Sequence, residues 1–250
     1  MKKLCALFAP LVLVTLLSVT ASAEIRVATA STYPPYEFIN EKGQFDGFDH
    51  DLMEEIGRRI GEKIVWIDTG HYDMVIPTLV TRRADVIAAG MSATPIRARR
   101  VLFSTPYVPT LACFVTRPSV TVEKLEDLRG LRGAVPIGTT QDVFLAPKAE
   151  KYGFTLKNFA KIEECMWDIV TGRTDFTLMD VPVAEKLLEH PNFKNKTARG
   201  LTFQLTGAGK ALAVRLDDAP LKTKLDGALA DMEADGTLDA MRSKWGLGKK

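Results

Sequence analysis

Short apolar runs alternate with amphipathic helical patterns along most of the chain, and no other feature constrains the fold as strongly. Residues 25–30, 64–67 and 86–88 have the composition of buried strands, and helical patterns separate them. Such alternation predicts an α/β fold whose strands are mostly parallel and are covered by helices. Further strands are predicted at residues 112–116, 133–137, 155–159, 176–179 and 211–215.

Helix boundaries follow from capping residues and apolar spacing. Asp49 is predicted to cap the first long helix, and Gly61 is predicted to end it. Its apolar positions fall on one face: Leu52, Met53, Ile56 and Ile60. The other helices are predicted at residues 74–81, from near Gln141, Glu163 and Pro182, and at residues 219–234 and 238–245.

The first 23 residues have the features of an export signal. Lys2 and Lys3 form a basic start, residues 4–17 are almost wholly apolar, and Ala21-Ser22-Ala23 is a suitable cleavage site. The alternative is an uncleaved anchor, but the apolar core is shorter than the ~20 residues that span a bilayer. We therefore expect cleavage before Glu24 and an exported product.

Removal of the leader leaves 31 basic and 31 acidic residues, so the mature chain is formally neutral. Neutrality argues against nucleic acid as a partner. Cys113 and Cys165 remain, and export would permit a disulfide, but spacing alone does not establish one. We expect two buried free thiols. The three histidines are scattered, so neither a metal site nor a cofactor is expected.

The stretch Gly90-Met91-Ser92-Ala93-Thr94-Pro95-Ile96-Arg97 follows an apolar run and predicts a strand end, a loop and a helix start. Thr94 suits an N-cap and Pro95 the first helical position, which places Arg97 in the first turn. Arginine is unfavourable there unless it faces an anion. Loop N–H groups and the guanidinium would then bind a carboxylate. The alternative is a solvated arginine, since Arg99 is also basic.

Two later positions are also candidates for ligand contacts. Gly138-Thr139-Thr140-Gln141 follows an apolar stretch, so its N–H groups would approach a ligand at the next helix start, although ordinary capping explains the threonines equally well. Asp180 ends a predicted strand, where open α/β sheets place ligand contacts. A helix N-cap is the alternative for Asp180, because Pro182 follows soon after.

A set of ordered motifs resembles the bacterial extracytoplasmic solute-binding proteins that deliver polar amino acids to ABC importers. The resemblance covers nearly all of the chain after the leader, and the order of the motifs is more specific than any one of them. The motifs are TYPPYEF (32–38), GQFDGFDHDL (43–52), IPTL (76–79), GMSATPIR (90–97), GTTQ (138–141), GRTD (172–175) and DGTL (235–238).

The resemblance implies a two-lobed periplasmic-binding-protein fold of type II, with a mostly parallel sheet flanked by helices in each lobe. Lobe 1 would comprise residues 24–106 and 211–250, and lobe 2 residues 112–204. Two chain crossings, near residues 107–111 and 204–210, would act as hinges. The family also implies a monomeric receptor in the periplasm that passes its ligand to a membrane permease.

The resemblance further implies roles for individual residues. Arg97 would bind the α-carboxylate of the ligand, and Asp180 would bind its α-ammonium group. Tyr33 and Tyr72 would place their rings around the ligand side chain. The floor of the site would be formed by Ala89, Gly90, Met91 and Ser92. The second lobe would contribute Thr139, Thr140 and Gln141.

Ligand specificity is expected to lean towards a neutral side chain. Family members that bind arginine, lysine or ornithine commonly have an acid near position 30, where this chain has Ala30. Arg97 and Asp180 would be used by the ligand backbone, which leaves no obvious charge for the side chain.

A cyclohexadienyl dehydratase on the same fold is the alternative function. Such an enzyme needs a general acid in the pocket, and Gln141 stands where an acid would be useful. Glu37 and Asp180 are the remaining candidates. We expect a binding protein and not an enzyme.

Overall fold

The computed structural model describes residues 24–205 and 209–248, so the export signal lies outside the described residues. The strands are β1 (Glu24–Thr29), β2 (Thr32–Tyr33), β3 (Glu37–Ile39), β4 (Phe45–Asp46), β5 (Lys63–Asp68), β6 (Val86–Ile87), β7 (Val101–Phe103), β8 (Ala112–Thr116), β9 (Arg132–Pro136), β10 (Thr155–Phe159), β11 (Phe176–Asp180), β12 (Ala198–Phe203) and β13 (Ala213–Arg215). The α-helices are α1 (Phe48–Ile60), α2 (Val75–Val80), α3 (Thr140–Leu145), α4 (Ala149–Tyr152), α5 (Ile162–Val170), α6 (Val181–Glu189), α7 (Ala219–Ala234) and α8 (Thr237–Lys244).

Two five-stranded sheets form the framework, in the orders β5-β1-β6-β13-β7 and β10-β9-β11-β8-β12. In each sheet the first three strands are parallel, and the fourth runs antiparallel to both of its neighbours. The predicted fold class, two mostly parallel sheets flanked by helices, is confirmed. Strands β2, β3 and β4 form a separate three-stranded sheet that the sequence analysis did not anticipate.

Two local predictions about helix starts were wrong. Gly47, with φ of 122°, holds the N-cap position of α1, and the Asp49 side chain makes no capping bond there. Arg97 does not lie in the first turn of an α-helix, because the chain forms only a short 3-10 turn at Arg97–Arg99. The hydroxyl of Thr94 still accepts the Arg97 N–H at 3.3 Å, so the capping contact exists without the helix.

The chain leaves the first sheet between β7 and β8 and returns between β12 and β13. The Tyr107 N–H donates to the Lys210 carbonyl at 2.8 Å, and the Lys210 N–H donates to the Val108 carbonyl at 2.7 Å. We call this pair of hydrogen-bonded segments, residues 107–108 and 210, the crossing ribbon. The lobe limits given above and the hinge function of the crossings remain predictions.

The crossing ribbon is fixed to helices α1 and α8 by buried polar and aromatic contacts. The Tyr107 ring stacks on Phe48 with centroids 5.5 Å apart, and its hydroxyl donates to Asp49 at 2.8 Å. The fully buried Arg242 donates through Nε to the Tyr107 carbonyl at 2.8 Å. Its other guanidinium nitrogens pair with Glu233 and Asp239, so its charge is compensated although the residue is buried.

The cores contain both cysteines as free thiols, as predicted. Cys113 on β8 and Cys165 on α5 are fully buried among apolar side chains. Burial raises the pKa of Cys113 to about 12, so this thiol is unreactive at neutral pH. Over the described ranges, no helix combines the length and the apolar character needed to cross a membrane.

Strand β9 depends on a glycine where an aromatic ring lies directly on the backbone. A Cβ at Gly133 would lie 2.4 Å from Cζ of Phe176, its neighbour across the sheet. The Phe176 ring is fully buried and makes edge contacts with Phe114 and Phe154, each with centroids 5.7 Å apart. Because three rings are interlocked there, Phe176 has little room to move.

We predict that Gly133→Ala lowers the free energy of unfolding by about 1–3 kcal/mol, the usual range for overpacking a core. The matched control is Gly227→Ala in α7, where a Cβ would meet no atom within 4 Å. There the change should stabilise by roughly 0.5–1 kcal/mol, because alanine favours the helix. Urea unfolding of both variants measures the difference, and shifts of equal sign would contradict this account.

Candidate functional site

A small cavity lies between the two sheets. The first sheet and its loops contribute one wall, the loops at the ends of β9 and β11 contribute the opposite wall, and the crossing ribbon closes one side. The lining residues are Thr32, Tyr33, Tyr72, Gly90, Ser92, Arg97, Thr139, Thr140, Gln141, Asp180 and Lys210.

Arg97 reaches across this cavity. One Nη donates to the Ser92 carbonyl at 3.0 Å, and the other donates to the Gly138 carbonyl of the opposite wall at 3.1 Å. The guanidinium lies over the Tyr72 ring, 5.3 Å from its centroid. Arg97 is half-buried whereas Arg99 is exposed, so the alternative of an ordinary solvated arginine does not describe its position.

Gly90 forms part of the wall beside Arg97 because of a backbone conformation that suits glycine. Its φ is 53°, and a Cβ would lie 3.3 Å from atoms of Tyr36. Its N–H donates to Oδ2 of Asp49 at 2.5 Å. Asp49 is fully buried, and burial raises its pKa to about 6. The residue predicted to cap α1 therefore holds the binding loop in place.

Asp180 is the buried carboxylate of the opposite wall. It occupies the N-cap position of α6 but makes no capping bond with its side chain, so the alternative role as a helix cap is not supported. Its Oδ1 accepts from the Gln141 amide at 2.9 Å, and its backbone N–H donates to the Tyr33 hydroxyl at 3.1 Å. Gln141 and Tyr33 thus orient Asp180 from both walls.

Lys210 was missed by the sequence analysis, and it contributes the second cation of the cavity. Its Nζ lies 2.5 Å from Oδ2 of Asp180, and both side chains are only 3% exposed. Nζ also donates to the Ser92 hydroxyl at 3.2 Å. The neutral-ligand expectation assumed that no further charge lay in the cavity, and Lys210 removes that assumption.

Aromatic side chains surround these charges, and Tyr33 and Tyr72 both line the cavity. Tyr33 stacks on Tyr36 with centroids 6.0 Å apart, and the Lys210 ammonium lies 5.7 Å and 5.2 Å from the two ring centres. Burial raises the pKa of Tyr72 to about 12, so its hydroxyl stays neutral. Rings of this kind can hold either an aliphatic chain or a cation.

Thr139 and Thr140 line the cavity and also make hydrogen bonds within their own wall. The Thr139 hydroxyl caps α3 by accepting the Asp142 N–H at 3.2 Å, and it donates to the Pro136 carbonyl at 2.8 Å. Thr140 donates to the side-chain oxygen of Gln141 at 3.1 Å. Capping and lining coincide at Thr139, as the sequence analysis allowed.

Two of the predicted floor residues do not line the cavity. The side chains of Ala89 and Met91 are buried in the hydrophobic core behind the wall, with Val75, Leu79 and Ile87. The Met91 carbonyl accepts the Ala211 N–H at 2.9 Å. The turn of the backbone at Gly90 directs the residues on either side of it into the core.

Glu37, a candidate general acid, also lies outside the cavity lining. It is buried in β3, where Oε2 accepts the Ala30 N–H at 2.9 Å, the Ser31 N–H at 3.3 Å and the Thr29 hydroxyl. Burial raises its pKa to about 8, and these hydrogen bonds oppose the rise. Glu37 therefore has the structural role of holding the loop between β1 and β2.

The model of the bacterial extracellular solute-binding proteins, family 3, matches residues 25–248. The chain belongs to this family. It is 32% identical over 230 residues to the "Putative ABC transporter arginine-binding protein 2" of Escherichia coli (strain K12), an alignment covering 92% of this chain and 93% of that protein.

Two solved structures show that the similarity to known proteins extends to the fold. An ancestral arginine-binding protein bound to arginine superposes with a TM-score of 0.84 at 31% identity, covering 89% of this chain and 98% of that one. An ancestral amino acid-binding protein described as a precursor of cyclohexadienyl dehydratase superposes with a TM-score of 0.78 at 28% identity, covering 89% and 95%. The family description supports a solute-binding protein over an enzyme.

The raised pKa of Glu37 predicts a pH dependence of stability. The folded chain holds a proton up to about pH 8 that the unfolded chain releases near 4.5. The stabilising contribution is therefore complete below the lower value and is lost as the pH rises towards the upper one, by up to about 1.4 kcal/mol per pH unit. Glu37→Gln stays neutral and should flatten the fall in unfolding free energy between about pH 6.5 and 8.

Urea unfolding at several pH values tests this prediction. The lower limit of the pH range lies above the pKa of about 6 for Asp49, so the titration of that residue contributes little there. Glu41→Gln, on the exposed turn of the same small sheet, is the matched control and should retain the wild-type slope. A slope that Glu37→Gln leaves unchanged would contradict the buried, protonated state.

Proposed function

We propose that this protein is the substrate-binding component of an ABC importer for free amino acids. The observation that carries the proposal is the arrangement of Arg97 and Asp180 on opposite walls of one cavity. An amino acid has an anionic and a cationic group on the same carbon, and this arrangement offers one partner to each. The family membership supports the same conclusion, as does the arginine-bound structure that this chain resembles.

The α-carboxylate is proposed to bind at Arg97. A guanidinium offers two parallel N–H donors, which match the two oxygens of a carboxylate. The Tyr72 ring, 5.3 Å from the guanidinium carbon, supports the guanidinium at the cavity wall. The α-ammonium is proposed to bind at Asp180, which Gln141 and the Tyr33 hydroxyl orient.

Closure of the two lobes about the crossing ribbon is the proposed response to the ligand. Each wall alone offers only one of the two charges, so only the closed form satisfies both ends of the ligand in a site shielded from water. Direct contacts already join the walls, between Arg97 and Gly138 and between Tyr33 and Asp180. A ligand favours closure only by the difference between its affinities for the two forms.

The cellular setting is proposed from the leader and from the relatives. Cleavage before Glu24 would release the mature chain into the periplasm, where related binding proteins are found. The closed receptor would dock as a monomer on the permease of its importer.

A dehydratase is not favoured by the geometry of the cavity. Asp180 is the one carboxyl group among the lining residues of the described chain, and it is paired with Lys210. A carboxylate held in this way suits a cationic partner better than the task of protonating a leaving hydroxyl.

We predict that Arg97→Ala weakens amino acid binding by about 100-fold or more, equivalent to about 2.7 kcal/mol, because the ligand carboxylate would be left in a closed site without its partner. Arg97→Lys should fail almost as severely, since an ammonium lacks the forked donors. Thermal-shift screening of the twenty amino acids identifies ligands, and calorimetric titration then measures their dissociation constants.

Arg99→Ala is the matched control for this prediction. Arg99 lies two residues away in the same 3-10 turn, is exposed and does not line the cavity, so its removal should leave affinity unchanged. Normal amino acid binding by Arg97→Ala would refute the proposed site. The loss of binding in both variants would mean that the turn itself had been disrupted.

A further inference from the structure

Lys210 is a buried, rigidly placed cation in the cavity wall. Its backbone forms antiparallel bridges with both Ser92 and Val108, so the stem of its side chain starts from a fixed point on the crossing ribbon. Within the described part of the chain, Nζ has two hydrogen-bond or ion-pair partners, Asp180 and Ser92. An ammonium has three donors, and Lys210 is one of the residues that line the cavity.

We infer that Lys210 binds a second carboxylate of the ligand, so that the receptor selects amino acids with an acidic side chain. This inference rests on the proposed function, because it assumes that the first carboxylate binds Arg97. It assigns the side-chain subsite to a residue on the crossing ribbon, between the two lobes.

The positions of the two cations support a ligand with two carboxylates. Arg97 donates to the carbonyl of Ser92 at 3.0 Å, and Lys210 donates to the hydroxyl of the same residue at 3.2 Å. The two charges therefore flank a single serine and face one small cavity. The lining residues thus carry two cations and one carboxylate, Asp180, and a ligand with two carboxylates and one ammonium balances the excess positive charge.

The carboxyl groups in and around the cavity offer no comparable partner for a cationic side chain. Asp180 is already paired with Lys210 and is also needed for the α-ammonium. Asp49 lies behind the wall, where its two oxygens accept from Gly90 and Tyr107. Glu37 lies outside the cavity lining, and its Oε2 accepts from the loop between β1 and β2. A guanidinium or ammonium side chain would thus meet Lys210 without a compensating carboxylate.

Wild-type protein provides the decisive comparison, because glutamate and glutamine have nearly the same shape and differ in charge. Calorimetric titrations with glutamate, glutamine, aspartate, asparagine and arginine would measure this preference. We expect each acid to bind at least about tenfold more tightly than its amide, and arginine to bind more weakly still. Amides that bind as tightly as the acids would overturn the inference while leaving the proposed function intact.

Substitutions at Lys210 test whether this residue is the source of the preference. Lys210→Met keeps the aliphatic stem and removes the charge, and Lys210→Gln keeps a hydrogen-bond donor for Asp180 if the methionine variant does not fold. Both should reduce the acid-to-amide affinity ratio by about tenfold or more. A ratio equal to that of the wild type in a folded variant would overturn the inference.

Two controls separate this inference from the proposed function. Lys222→Met removes a lysine that is ion-paired with Asp226 within α7, away from the cavity, and should leave the ratio unchanged. Succinate and glutarate have two carboxylates and no ammonium. Their binding as tightly as aspartate and glutamate would uphold the role of Lys210 but refute the proposal that the cargo is an amino acid.

Discussion

A buried ion pair between Asp180 and Lys210 is the interaction on which the arrangement of the site depends. Two charges that are each only 3% exposed must compensate one another, because either alone would be strongly unfavourable in the interior. Gln141 and Ser92 supply the additional hydrogen bonds that such a pair needs. In this structure the pair thereby holds the wall formed by β11 against the crossing ribbon.

The framework of the fold could be predicted from the sequence because buried parallel strands and amphipathic helices have distinct periodicities. Four strands of each five-stranded sheet were anticipated in this way, whereas β7 and β12 were not. Strand β12 was missed because it interrupts its apolar residues with Arg199 and Gly200 and has a register irregularity against β8. The three-stranded sheet was missed because strands of two or three residues are too short to show any period.

The positions of Arg97 and Asp180 in the candidate site could be predicted, whereas the directions of neighbouring loop side chains could not. Arg97 and Asp180 line the cavity as expected, whereas Ala89 and Met91 point into the core on either side of Gly90. The direction of a loop side chain depends on backbone torsions that the sequence does not reveal, here a positive φ at Gly90. Lys210 was missed because its position depends on pairing with Val108, a contact distant in sequence.

The crossing ribbon limits how the two proposed lobes can move relative to each other. Two connections joined by hydrogen bonds can bend together about a common axis, but sliding one along the other would break the bonds between Lys210 and residues 107 and 108. Points on an axis of rotation move least. In the proposed hinge motion, Lys210 would stay beside Ser92 at every angle of opening, while Asp180 and Gly138 would move through an arc. An anionic ligand would therefore bind Arg97 and Lys210 first, and the wall that carries Asp180 would close on it afterwards.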